Sequence, residues 1–254
     1  MLPTTTADPA LSPTSASTTT STTTTTLPVL PRSVAIVGDS QAHSLFVNLP
    51  RGIDDYFEFT DGAISGCSVH ESGEIVTARL GFHNDFGICR GWARRWADAA
   101  RGADVALVVL GAWDVFDIRD GDAVIEFGSI EYDRLFSRRL RSGLDALVFA
   151  DAHAALLEVP CMRPVDARGA AVPALPERGD DARVAHINTL LRHAAARDPQ
   201  HVTFIEGPDE WCNDETIATD VDYRWDGVHV YQKGANLVFG TIAAALLAIP
   251  IDPR

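Results

Sequence analysis

The stretch Ser33-Val34-Ala35-Ile36-Val37-Gly38-Asp39-Ser40 sets the fold class of this chain. Its first five residues are mostly small or β-branched and carry no polar alternation, as expected of a strand covered on both faces. A glycine ends the run, and Asp39 and Ser40 precede a helix predicted over Gln41 to Leu49 and stopped by Pro50. The same unit repeats along the chain. Strands are predicted over Tyr56 to Thr60, Asp104 to Leu110, Ala154 to Val159 and Val202 to Ile205. Asp104 to Leu110 (DVALVVL) is the clearest buried strand among them. Helices are predicted over Trp92 to Arg101, Tyr132 to Phe149, Asp181 to Arg197 and Gln232 to Ala248. In the second of these, Leu135, Phe136, Leu140, Leu144 and Leu147 share one side; in the third, Ile187, Leu190 and Leu191 face inward. Asp61 to Arg90 is glycine-rich and lacks periodicity, so it reads as one long functional loop. Short apolar strands separated by helices define an α/β chain, a three-layer α/β/α sandwich around a five-stranded parallel sheet with right-handed crossovers. Ligands in such folds sit at the carboxyl ends of the strands. The segments that matter chemically are therefore Gly38–Ser40, Asp61–Cys67, Gly111–Asp114, Pro160–Arg163 and the stretch from Trp211 onward.

Composition narrows the partners. The 254 residues are 46% hydrophobic and 22% charged, which excludes a collagen, a coiled coil and a wholly disordered chain. Lys and Arg number 21 against 35 Asp and Glu, a net charge of −14. Such a surface repels phosphate backbones and anionic lipid, so nucleic acid and electrostatic membrane docking are not expected. No stretch reaches the ~20 apolar residues a membrane helix needs. Ala235 to Pro250 comes nearest and reads as a buried terminal helix. Residues 1 to about 32 are mostly Thr, Ser and Pro and cannot bury enough surface to offset their ordering entropy. They read as a disordered linker of the kind found outside the cytoplasm, with the folded domain over residues 33–254. Met1 to Ala10 has no basic segment followed by an apolar run, so no signal peptide is visible; export by another route, or a longer parent chain, is the expectation.

Two motifs carry chemistry. Gly38-Asp39-Ser40 places a serine hydroxyl at the rim of the sheet, with its N–H at a helix start that favours anions. Alone this is weak, because Ser and Asp are common helix N-caps. Asp226-Gly227-Val228-His229 lies far along the chain, after the fifth strand and before the last helix. A serine is a poor nucleophile until a base takes its proton, and histidine suits that task near neutral pH. Asp226, across a glycine turn, is placed to orient the imidazole.

Together the two motifs resemble the SGNH/GDSL hydrolase superfamily, in which a Gly-Asp-Ser block opens the domain and an Asp-x-x-His block closes it. The resemblance spans residues 33 to 250 and implies the flavodoxin-like fold of that family. It implies Ser40 as nucleophile, His229 as general base and then acid, and Asp226 as the residue orienting His229. It also implies an oxyanion hole built from the Ser40 N–H, a glycine after the second strand and a third block after the third. Gly66 matches the glycine best, with Gly62 competing. The third block, usually Gly-x-Asn-Asp, reads Gly111-Ala112-Trp113-Asp114 here. Trp113 cannot supply an amide, although its indole N–H is a possible donor. Asp114 and Trp225 are substrate-contact candidates. Gly-x-Trp-Asp, Gly66-Cys67 and the additional cysteines resemble the extracytoplasmic SGNH domains of membrane acyltransferase-3 proteins, associated with O-acylation of envelope glycans. A membrane acyltransferase partner follows as an expectation.

Other residues lean toward ordinary roles. His43 is assigned to a helix surface, Trp92, Trp96 and Trp211 to the core, and Arg163 to either a substrate anion or a loop cap. No histidine pair has metal-ligand spacing with supporting carboxylates, so no metal and no cofactor are expected. The four cysteines, Cys67, Cys89, Cys161 and Cys212, form no C-x-x-C pair. They allow three disulfide pairings or none; Cys67–Cys89 with Cys161–Cys212 is preferred, and four buried thiols remain the alternative. The expected function is a serine esterase or O-acyltransferase acting on short acyl esters of envelope carbohydrate. A non-catalytic glycan-binding domain and a cytosolic lipase-like esterase are the alternatives.

Overall fold

The computed structural model describes residues 31–251; the linker assignment falls on residues outside that range except for its last two. The chain enters the fold at β1 (Arg32–Gly38), one residue before the expected boundary. The Arg32 guanidinium donates to the carbonyls of Leu246 and Ile249, closing the start of the domain onto its end. The elements that follow are α1 (Ser40–Val47), β2 (Phe57–Ala63), β3 (Glu74–Val76), α2 (Trp92–Ala100), β4 (Val105–Val109), β5 (Asp117–Asp120) and β6 (Ala123–Ile125). Then come α3 (Ile130–Phe149), β7 (His153–Leu157), α4 (Asp181–Arg197), β8 (Val202–Ile205), two short helices α5 (Glu210–Asn213) and α6 (Glu215–Thr219), and α7 (Gln232–Ala248).

Five strands form a parallel sheet in the order β2-β1-β4-β7-β8. Strand side chains alternate between faces, and β1 divides accordingly. Ala35 and Val37 join the core that holds Trp92, Trp96, Phe136 and Leu140. Val34 and Ile36 join the opposite core, with Leu45, Val238, Phe239 and Ile242. The sheet is thus covered on both faces, which is why its strands read as continuous apolar runs. Strand order reverses at β1, where the chain steps to β2 on one side and β4 on the other. The crevice between the ends of β1 and β4 is the place where such folds bind ligands.

The 61–90 segment and the stretch after β4 hold structure that the sequence did not show. β3, β5 and β6 form a separate antiparallel sheet, with Ile75 opposite Ile118. Each strand is three or four residues long, too short to display alternation, and β3 pairs with β5 across about forty positions. β7 also ends two residues before the expected Val159. The Asn188 side chain takes over there, accepting from the Val159 N–H at 2.8 Å and donating to its carbonyl at 2.9 Å. Two disulfides, Cys67–Cys89 and Cys161–Cys212, tie the loops after β2 and β7, the pairing preferred from the sequence. Among the described residues no helix is long and apolar enough to cross a membrane.

Candidate active site

Ser40 is the first residue of α1, two residues beyond the end of β1. The turn depends on Gly38. Its φ is 138°, and a Cβ there would lie 1.7 Å from the Val109 carbonyl oxygen. Only glycine lets β1 end this close to β4. Asp39 caps α1 by accepting the Gln41 N–H at 2.7 Å. Its other oxygen accepts the Ala112 N–H at 3.0 Å, so the same carboxylate ties the loop after β4 to the turn carrying Ser40. Burial pushes the Asp39 carboxyl up, and the two N–H donors with the nearby His229 and Arg178 offset only part of that.

The Asp226–His229 turn is fixed from the other side. Gly227 has φ 77°, and a Cβ there would lie 1.7 Å from the Arg163 carbonyl oxygen. The Arg163 N–H donates to the Gly227 carbonyl at 2.9 Å, and the Val165 N–H donates to the Asp226 carbonyl at 3.0 Å. The loop after β7 is thus a backbone platform for the turn. The Arg163 side chain is engaged elsewhere, in a two-point pair with Asp181 at 2.7 and 3.0 Å.

These two supports bring Ser40 Oγ within 2.7 Å of His229 Nε2. His229 Nδ1 lies 2.7 Å from Asp226 Oδ2. The other Asp226 oxygen accepts the N–H groups of His229 at 2.8 Å and Val228 at 3.0 Å. Burial alone raises the Asp226 carboxyl, but the His229 side chain and these two N–H donors outweigh it and hold it below the ordinary value. An ionised carboxylate only accepts, so Nδ1 carries the proton and Nε2 is the acceptor facing the serine hydroxyl. The three side chains are largely buried, with His229 at 15% and Asp226 at 9% exposure. Such a chain can move the serine proton to the imidazole and back.

Next to it lie donors without acceptors. Neither the Ser40 N–H nor the Gly66 N–H bonds to a group among the described residues. Gly66 has φ 80°. Its carbonyl accepts from Asn84 Nδ2 at 3.0 Å, and the Ile64 N–H donates to the Gly38 carbonyl at 2.8 Å. The Gly66 turn is therefore anchored to the base of the serine turn. Gly62, the competing choice, lies inside β2, where a Cβ would stand 2.6 Å from the Ala99 methyl. Its role is close packing.

Two expectations fail. Asp114 does not face substrate: it is fully buried. Its carboxylate accepts the Gly111 N–H at 3.1 Å and the Val69 N–H at 3.3 Å, welding the loop after β4 to the loop after β2. Burial, then the Asp39 charge, pushes it up to about 7 against the opposing hydrogen bonds. Trp113 does not present its indole to the site. It is 3% exposed, its Nε1 is enclosed without a partner, and its ring packs on Phe82 and Phe116. A motif records neighbours in sequence and not which side of a loop faces the core, so it does not separate these two from residues that line the site. Trp225 does stay at the site, stacked on the His229 imidazole with centroids 5.8 Å apart. His43 lies on the surface, paired with Asp61 at 2.8 Å.

No motif or periodicity marks Arg178. It sits in a 3-10 turn, Pro176–Gly179, and is 2% exposed. Its Nε donates to the Ala112 carbonyl at 2.7 Å, and its guanidinium lies 4.2 Å over the Trp113 ring. Burial pulls it down to about 10, against the pull of Asp39 and Asp226. Asp39 and Arg178 thus hold the Ala112 backbone from its two sides.

The parallel sheet and its switch point form the α/β fold that SGNH/GDSL hydrolases share, and solved structures agree on the fold. A putative acylhydrolase from Bacteroides fragilis superposes with a TM-score of 0.56 at 13% identity, covering 86% of this chain and 90% of that one. A GDSL-like lipase from Bacteroides thetaiotaomicron gives 0.52 at 13% identity over 85% and 88%. The periplasmic domain of a lipopolysaccharide acetyltransferase from Salmonella ser. Paratyphi A gives 0.50 at 14% identity over 85% and 84%. A comparison with curated protein sequences finds no match. Residues 90–245 match the family described as protein of unknown function (DUF459), and the chain belongs to that family.

Proposed function

We propose that this protein is a serine-dependent ester hydrolase or O-acyltransferase. The observation that carries this reading is the continuous hydrogen-bonded chain from Ser40 Oγ through His229 to Asp226. Ser40 Oγ attacks the acyl carbon and His229 Nε2 takes the hydroxyl proton. The tetrahedral oxyanion is received by the N–H groups of Ser40 and Gly66. As the ester C–O bond breaks, His229 returns the proton to the departing alcohol oxygen, leaving the acyl group on Ser40. Water or a sugar hydroxyl then attacks that acyl-serine, gives its proton to His229, and releases Ser40 with its hydroxyl restored. Which acceptor wins depends on how well each is held and how far water is excluded.

The substrate in this reading is a short acyl ester, acetyl foremost, on cell-envelope carbohydrate, with a membrane acyltransferase as partner. The names of its structural neighbours, a lipase, an acylhydrolase and a lipopolysaccharide acetyltransferase domain, support acyl chemistry. Trp225 beside His229 is a surface on which a sugar ring can stack. Two disulfides support an extracytoplasmic location. The test is Ser40→Ala, assayed on an activated acetyl ester and with a fluorophosphonate label. Loss of turnover and of labelling is expected. Full retention of both would leave a glycan-binding domain without catalysis as the better account.

A further inference from the structure

On the face of the sheet bearing α3 and α4, a furrow of about 510 Å³ runs between these two helices. Arg134, Arg138 and Arg141 of α3 line it together with His193 and Arg197 of α4. All five side chains are exposed. Among the described residues, Arg134, Arg138 and Arg197 have no carboxylate partner, and Arg141 has only Asp145, 3.4 Å away on its own helix. The one carboxylate lining the furrow, Asp133, is already taken by His186 at 2.7 Å. Several arginines elsewhere are matched: Arg79 with Asp166, Arg163 with Asp181, Arg183 with Asp117 and Arg192 with Glu158. An unmatched cationic row is thus a local feature of a chain whose net charge is −14.

The spacing makes the row costly to the fold. Arg134 and Arg138 stand four apart on one helix, and like charges at that spacing repel. Folding supplies no return for that repulsion; a bound anion does. At 1.5 Å per residue, successive cations on a wall lie about 6 Å apart along the axis. The α4 side of the furrow carries Arg197, with Leu190 and Ala194 completing the lining. That geometry suits one extended strand carrying anionic groups at regular intervals. A flat membrane does not reach the floor of a furrow. Single-stranded nucleic acid depends on stacking platforms, and no Phe, Tyr or Trp lines this one.

We propose that the α3–α4 furrow is a binding site for an acidic polysaccharide, whose repeated carboxylate or phosphate groups are received by the arginines. The choice of a glycan rests on the carbohydrate reading of the Ser40 site; the anionic character rests on the furrow alone. The furrow lies outside the serine site, so the protein holds a polymer there while acting elsewhere on it.

The test is calorimetric titration of the whole protein with homogalacturonan oligomers of increasing length. The methyl-esterified neutral oligomer, an oligodeoxythymidine and phosphatidylglycerol vesicles serve as comparisons. The acidic oligomer is expected to bind with affinity that rises with length, then levels off, and falls as salt is added. The neutral oligomer is expected not to bind. Arg134→Glu with Arg138→Glu is expected to lower affinity at least tenfold while leaving turnover of a small acetyl ester unchanged. Arg138→Gln with Arg197→Gln, milder changes at exposed positions, repeats the test should the first variant misfold. Unchanged affinity in both variants overturns the proposal, as does equal or tighter binding of the oligonucleotide or the vesicles. Failure of Ser40→Ala to alter ester turnover would remove the esterase reading and leave the furrow result standing.

Discussion

His229 Nε2 lies 2.7 Å from Ser40 Oγ although 189 residues separate them along the chain. The contact joins a helix start to a turn, and α1 also grips that turn directly, Asn48 Nδ2 donating to the Val230 carbonyl at 3.1 Å and Ser44 Oγ accepting the Val230 N–H at 3.3 Å. That is why the pair is aligned without a ligand between them.

Asp226 sets which nitrogen faces the serine. Replacing Asp226 by Asn removes the carboxylate acceptor, and an amide that donates to Nδ1 puts a proton on Nε2, where it blocks proton transfer. The expected result is a fall in kcat of about 10³- to 10⁴-fold with KM little changed. Steady-state kinetics on an activated acetyl ester measure it. A loss under tenfold would remove the orienting role.

Gly227 touches no reacting atom, yet a Cβ there meets the Arg163 carbonyl at 1.7 Å and φ is 77°. Gly227→Ala is expected to push the turn off the loop after β7. A displacement of about 1 Å costs on the order of 10² in rate. The matching control is Gly240→Ala, where the added methyl meets nothing within 4 Å. Comparable turnover in the two variants would refute the platform role of Arg163.

Asp39 is a fastener between the Gln41 and Ala112 N–H groups. Asp39→Ala leaves the Gln41 and Ala112 N–H groups without their acceptor. Each costs about 1–3 kcal/mol, offset in part by relief of a buried carboxylate, so a net loss of about 2 kcal/mol is expected. A urea midpoint read by tryptophan fluorescence reports it. No shift in midpoint would mean the Ala112 loop is held by Arg178 alone.

His70 gives the fold an acid sensitivity. It is fully buried against Phe86 and Tyr132 with both ring nitrogens unpartnered. Burial, and then Arg139, pull it down to about 3. In the unfolded chain a histidine titrates near 6.5, so between these values the unfolded state binds more protons and stability rises with pH. Stability from this group is complete above pH 6.5 and declines as pH falls toward about 3, by roughly 1.4 kcal/mol per unit. Asp114 works the other way: raised to about 7, it disfavours folding as pH climbs from about 4 to 7. The two are separated by His70→Leu, which is expected to lose about 2 kcal/mol less than the parent between pH 6.5 and 5. Parallel stability profiles for the two proteins would show that His70 protonates in the folded state.

Much of the site was legible because its parts are local. Gly38-Asp39-Ser40 and Asp226-Gly227-Val228-His229 each need only a strand end, a glycine turn and a few neighbouring residues. α4, β8 and α7 begin and end where the sequence put them, since each has a full run of periodic or apolar residues. Asn84 and Arg178 were not legible. Each acts through one carbonyl, Gly66 and Ala112, that is 18 and 66 residues away, and a lone Asn or Arg in a loop carries no pattern.

The sequence by itself determined the layering of the sheet, the chemistry of the two motifs and the residue types that can pass a proton, because apolar periodicity and functional groups are written one residue at a time. The tertiary structure alone decided which side of each loop faces the crevice. It turned Trp113 and Asp114 inward, left the Ser40 and Gly66 N–H groups without a partner among the described residues, and gathered a cationic furrow from two helices. Burial and hydrogen-bond partnership are properties of the packed neighbourhood, and that neighbourhood is assembled from segments far apart in the chain.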